Sequence, residues 1–142
     1  MAIGMRSLAF LTLALFGLTA GSGAHARNGE GVTGYWTGTI TEREGGEAVQ
    51  YDMSVAIDLD RTGEPFGVVS YDLGCVGVWT HAARLGPVWR FRETITGGRA
   101  NCAPHGEVEL GPVEGGFRVR LMPVGQTNIG DGTLRRQPEP QQ

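Results

Sequence analysis

The sequence predicts an all-β domain, a small antiparallel eight-stranded meander barrel with one disulfide. Three observations carry this expectation. Short runs of alternating apolar and polar residues recur along the chain, turn-forming residues separate them, and helical periodicity is absent. An even number of strands in a meander favours closure, because closing the sheet removes both unpaired edges. A two-sheet sandwich is the alternative arrangement of the same strands.

The first 26 residues stand apart from the fold. Arg6 precedes an apolar run from Leu8 to Leu18, and Ala24-His25-Ala26 forms a small-x-small cleavage site. This is the layout of a secretory signal peptide, and the run is short for a membrane span. No twin-arginine pair and no cysteine near the cleavage site are present. The expectation is cleavage near Arg27 and a periplasmic or secreted protein without stable membrane insertion. Residues 27–136 then form a single domain, and the Pro- and Gln-rich residues 137–142 form a disordered tail. The formal net charge is −3 and no lysine is present; losing Arg6 makes the mature chain one unit more negative. An acidic domain of this kind is a poor partner for nucleic acid.

Eight strands follow in order. The first, Gly34–Glu42, opens on "GYWTGTI" with Trp36 inward. The second, Ala48–Asp58, lies between the turns "EREGGE" and "DRTGEP". It sets Val49, Tyr51, Met53, Val55, Ile57 and Leu59 against Gln50, Asp52, Ser54, Ala56 and Asp58, the signature of a half-buried strand. The third is Pro65–Tyr71. In the fourth, Gly74–Ala82, parity sets Cys75, Gly77, Trp79 and His81 against Val76, Val78 and Thr80. Neither face is plainly apolar, so its inner side stays open. The fifth, Pro87–Thr96, places Trp89, Phe91 and Ile95 on one face and Arg90, Arg92 and Thr94 on the other. Glu93 falls on the apolar face. The sixth (His105–Leu110) and seventh (Gly115–Met122) carry Glu107 with Glu109, then Arg118 with Arg120, on their outer rows. Sequential neighbours would therefore show an Arg–Glu–Arg charge ladder, which contributes little stability in water. The eighth, Gly130–Arg135, closes the meander. With Trp36, Tyr51, Met53, Trp89, Phe91 and Phe117 inside, much of the interior should be filled, leaving at most a small cavity at one end.

Cys75 and Cys102 are the two cysteines. In an exported small domain an even count reads as a disulfide. It would close a loop of about 27 residues, worth roughly 3–4 kcal/mol in the chain-entropy model. The rival use is a metal site in which Cys102 and His105 of "CAPH" join Cys75 and His81.

Catalytic constellations are lacking. The mature chain holds two histidines, His81 and His105, and two serines, Ser54 and Ser70, neither serine at a glycine elbow. The carboxylate pairs Glu107 with Glu109 and Asp58 with Asp60 point outward, and no glycine-rich loop leads into a helix. These features predict a non-enzymatic chain without a cofactor. Glu93, Trp89, Trp36 and Tyr51 are the candidate ligand-binding residues. A buried carboxylate needs partners; for Glu93 these would be the backbone amides of "TGGRA" or the Arg99 guanidinium. Otherwise it is a polar anchor in a binding cavity. The partner expected is a small ligand or an envelope component. The alternative is an exported protein, such as a hydrolase inhibited through the loop "GGRANCAPHG".

The motifs in their order resemble a known family. "GYWTGTI", "YDMSVAIDL", "GVVSYDLGCVGVW", "WRFRETITGGRANC", "GEVEL" and "GDGTLRR" resemble a small β-domain of the extracytoplasmic part of some bacterial eukaryotic-like Ser/Thr kinases. That domain also occurs as freestanding secreted proteins. The resemblance implies a sensor-like or binding accessory domain; with no kinase domain here, kinase activity does not carry over. "GYWTG" is also similar to the Gly-x-Trp opening of lipocalins and the first strand of avidins. That likeness implies a late arginine, Arg135, stacked on Trp36.

Overall fold

The computed structural model describes residue 29 and residues 31–141; the expected signal peptide and cleavage site lie outside the described residues. Eight strands form in chain order: β1 (Gly34–Glu44), β2 (Glu47–Leu59), β3 (Pro65–Tyr71), β4 (Cys75–Leu85), β5 (Val88–Gly97), β6 (His105–Val113), β7 (Gly116–Pro123) and β8 (Gly130–Gln137). Every strand starts within one residue of its expected position. Most run further at their C-terminal ends, and β8 carries the barrel into Gln137. The reason is that ladder hydrogen bonds continue after apolar alternation stops. Glu44 pairs Glu47, Leu85 pairs Val88 and Val113 pairs Gly116, so each hairpin closes through a two-residue turn. In the first of these turns Gly45 and Gly46 both have positive φ, 59° and 90°, as a primed hairpin turn requires.

All neighbours are antiparallel, and β1 pairs β8, so the sheet closes into a barrel rather than splitting into two sheets. Alternation then decides the inside. β3 is buried at every second residue, at Pro65, Gly67, Val69 and Tyr71. β2 buries Tyr51, Met53, Val55 and Ile57, and β5 buries Trp89, Phe91 and Ile95. These side chains join Ile40, Trp79, Val108, Leu110, Val119 and Leu134 in one core.

In β4 the inner row carries Gly77 while the outer row carries Val76 and Val78, so apolar alternation does not reveal its inside. Cys75, Gly77 and Trp79 are buried, then a bulge shifts the β4–β5 register between Thr80 and Ala83. His81 sits in that bulge at φ 53°, an uncommon conformation for a residue with a side chain. Beyond it Ala82 packs against the core, and the Arg84 guanidinium lies 5.3 Å from the Trp89 ring centroid.

Residues 31–33 close one end. The indole N–H of Trp36 donates to the Val32 carbonyl at 3.0 Å, and Val32 is fully buried. The Phe117 ring meets Trp36 edge-on at 4.9 Å. Arg136, not Arg135, covers Trp36 at 4.4 Å and donates to the Thr33 carbonyl. Trp36 pairs with position 136 across the β1–β8 seam, and the side chain at 135 falls on the other row, where it donates to the Glu114 carbonyl.

The outer wall carries the charge ladder. Register places Arg90 opposite Glu109, Glu109 opposite Arg120, and Arg120 opposite Asp131. Arg90 meets Glu109 at 2.6 Å, while Arg118 and Arg120 turn to Asp131 at 3.2 and 3.7 Å. The arginines of β7 thus pair with β8 rather than with the glutamates of β6.

Candidate functional site

The end opposite Val32 is built differently. Here the chain enters β2, β4, β6 and β8 and leaves β1, β3, β5 and β7. The inward rows finish on polar side chains: Glu42 follows Ile40 in β1, Tyr71 follows Val69 in β3, and Tyr51 begins the buried row of β2. In these three strands apolar packing gives way to hydroxyls and a carboxylate toward this end.

The β5–β6 loop frames this mouth. Cys75 and Cys102 are joined, with Cα atoms 6.3 Å apart, so both sulfurs are withdrawn from any metal-ligand set with His81 and His105. Cys75 is fully buried and Cys102 packs against the core. Asn101 donates its side-chain amide to the Leu73 carbonyl at 3.0 Å, and the Ile95 amide donates to the Pro104 carbonyl at 2.9 Å. Gly98, at φ 69°, lies against the Gly74 carbonyl and Cys75 Cα, where a Cβ would clash. Glycine there lets the loop pass close enough for the disulfide to form.

Glu93 has neither of the partners expected from sequence. The "TGGRA" turn holds itself: Asn101 donates its amide to the Gly98 carbonyl, and Arg99 donates to the Ile95 carbonyl at 3.2 Å. The Glu93 carboxylate instead accepts from the Tyr71 hydroxyl at 2.5 Å and from the Trp79 indole N–H at 2.7 Å, both on Oε2. The inward parity that carries Glu93 into the barrel faces it toward β3 and β4, away from its own loop. Burial pushes the Glu93 carboxyl above its usual range, and the bonds from Tyr71 and Trp79 oppose that rise. Tyr71 is raised well above an ordinary phenol, by burial first and then by the charge and hydrogen bond of Glu93.

A second pair repeats the pattern. The Tyr51 hydroxyl donates to Glu42 Oε2 at 2.8 Å, and the Asn128 side-chain amide donates to Glu42 Oε1. Gly130 stands opposite Glu42 in the ladder, and its lack of a Cβ leaves room for the phenol. The Tyr51 phenol is pushed far up, by burial first, then by the bond to Glu42 and by the negative charges of Glu42 and Glu93. The two rings meet edge-to-face at 5.8 Å. Two tyrosine–carboxylate pairs therefore stand side by side at the mouth.

Between these pairs and the loops lies a cavity of about 420 Å³. Glu42, Tyr51 and Tyr71 line its inner part; Leu73, residues 100–104, Pro123, Gln126 and Asn128 form its rim. Glu93 stands one hydrogen bond behind the Tyr71 wall.

Of the residues singled out from sequence, Tyr51 lines the cavity, and Glu93 touches it through Tyr71. Trp89 is buried among Phe91 and Arg84, and Trp36 belongs to the closed end. The structure does not bring these two tryptophans to the mouth. Glu42, Tyr71, Trp79 and Asn128 were not singled out. Alternation from Trp36 and from Val69 would have placed Glu42 and Tyr71 inside. Asn128 lies in an irregular loop, where no period exists to read.

Family models give no match to this chain, and curated proteins give none. Among solved structures it is similar to "Crystal Structure of Rv2717c from M. tuberculosis", at 14% identity and a TM-score of 0.41. That likeness covers 77% of this chain and 94% of the other. The resemblance to the kinase-associated domain rests on the sequence motifs alone.

Proposed function

We propose that this chain is an exported, non-catalytic binding domain whose open barrel end takes a small ligand or a component of the cell envelope. The observation that carries this reading is the contrast inside one barrel. Most of the interior is packed with apolar side chains, and the remaining space at this end gathers Glu42, Tyr51 and Tyr71 around a cavity, with Glu93 bound behind Tyr71. Concave sites with a few convergent polar groups on a rigid apolar scaffold are the usual form of small-molecule sites. The phenols are held protonated and the carboxylates are already hydrogen-bonded, which suits fixed recognition better than proton transfer.

The alternative, a protein-binding module presenting "GGRANCAPHG", places the same loop in another role. Residues 100–104 form part of the cavity wall, which favours the ligand reading. Native mass spectrometry of the protein purified from its own envelope tests the two. A small-molecule adduct, lost when Ala100→Trp fills the rim, is the expected result. A bare chain bound to a second protein would overturn it.

A further inference from the structure

We infer that the cavity at the open end selects a ligand bearing an ammonium group. This rests on the small-ligand reading above and narrows it by charge and by hydrogen-bond polarity.

The charge is one-sided. No arginine lines the cavity, and among the described residues every ion pair lies on the outer wall, at Arg90, Arg118 and Arg120. Glu42 and Glu93 have uncharged partners only: Tyr51 and Asn128 for the first, Tyr71 and Trp79 for the second. The nearby guanidinium groups are elsewhere. Arg99 is bound to the Ile95 carbonyl, and Arg43 lines a separate hollow behind Gln126 and Asn128. A concavity of one sign between low-dielectric walls concentrates its field on whatever enters. A second anion there would be buried without compensation.

The hydrogen-bond polarity is one-sided too. Both phenols spend their single O–H on a carboxylate, the Trp79 N–H is spent on Glu93, and the Asn101 amide donates to the Leu73 carbonyl. What the inner wall has left is acceptor capacity, in the second lone pairs of the Glu42 carboxylate and the oxygens of Tyr51 and Tyr71. A phenol that donates to a carboxylate is also a better acceptor. A group with several N–H donors and a positive charge satisfies both asymmetries, and the tyrosine rings add a further favourable surface for a cation. The amides of Gln126 and Asn128 at the rim can serve either polarity and leave the rest of the ligand less constrained.

Three probes of one shape separate these factors: tert-butylammonium, tert-butanol and pivalate. Each is titrated into the ¹⁵N-labelled protein, following the Trp79 indole and Asn128 side-chain resonances. Saturable shifts with tert-butylammonium are expected, with tert-butanol about tenfold weaker or more and pivalate silent. Glu42→Gln should weaken the ammonium probe by about tenfold while the melting temperature holds, and Arg90→Gln on the outer wall should leave it unchanged. Ethanolamine and the peptide Ac-Gly-Lys-Gly-NH₂, run in parallel, tell a free amine from a lysine side chain. Equal affinity for tert-butylammonium and tert-butanol, or tighter binding of pivalate, would overturn the ammonium inference and leave a ligand cavity standing. No saturable shift with any of the three would overturn both readings.

Discussion

The two ends of this barrel are made from the same strands and differ in what closes them. At the Trp36 end the chain caps itself: Val32 is buried, Phe117 packs edge-on against the indole, and Arg136 lies over it. At the Tyr51 end the loops stand around a space, and the inward rows end on Glu42 and Tyr71 instead of on apolar side chains. A short barrel has room for side chains or for one small ligand, and here one end is filled by side chains while the other keeps a cavity. The packed end contributes stability, whereas the hollow end spends some of it on burying the Glu93 carboxylate. Two tyrosine–carboxylate pairs beside a cavity set the mouth apart as the candidate site.

The largest test of this contrast removes the frame of the hollow end. Cys75→Ala and Cys102→Ala should each cost about 3–4 kcal/mol, with matching melting temperatures, because either change opens the same 27-residue loop. Clearly unequal melts would mean the two residues act separately.

Next comes the buried carboxylate. Glu93→Leu leaves the Tyr71 hydroxyl and the Trp79 N–H without an acceptor and should cost about 2–4 kcal/mol in chemical denaturation. Glu93→Gln keeps an oxygen for both donors and removes the buried charge, so at neutral pH it should melt no lower than the parent. A large loss in the glutamine variant would mean that charge, not acceptor geometry, holds Tyr71 and Trp79.

The same residue sets a pH dependence. Its folded-state carboxyl is raised above the ordinary range, so between the two values the folded chain binds more protons than the unfolded one. This contribution to stability is therefore fully present below the ordinary carboxyl range. It is lost as pH rises through the window up to the raised value. Denaturation across mildly acidic pH should show that fall in the parent and lose it in Glu93→Gln. An identical slope in both would assign it elsewhere.

The smaller effects belong to the packed end and the wall. Arg136→Ala should cost about 0.5–1 kcal/mol, because its stacking on Trp36 is exposed, and should leave binding at the mouth untouched. Arg90→Ala should melt close to the parent, since the Arg90–Glu109 pair remains in contact with solvent. A drop of several degrees in its melting temperature would make the ladder a structural element instead of a solvated one.

Much of the architecture was legible in the residues. Alternation in "VQYDMSVAIDLD" and "VWRFRETI" assigns strands and faces because side chains in a strand have a period of two, a strictly local rule. Paired glycines mark the turn at 45–46 for an equally local reason, the positive φ of a tight hairpin. That Glu93 points inward follows from the same parity. Its partners do not, because Tyr71 and Glu93 are 22 residues apart and meet through the stacking of β3, β4 and β5. The bulge at His81 is invisible to a period-two pattern, since one extra residue reverses the assignment of everything after it. Arg136 replaces Arg135 over Trp36 through the register of the closing seam, which depends on both ends of the chain.

The sequence by itself determined eight strands and the inward rows of all but β4, since these depend on neighbours along the chain, and the even cysteine count pointed to the disulfide. Only the tertiary structure decided which end is hollow, who holds Glu93, and that Glu42 shares its cavity with Tyr71. Those are consequences of closure: joining β1 to β8 fixes every register at once, and registers determine which side chains finish at the same rim.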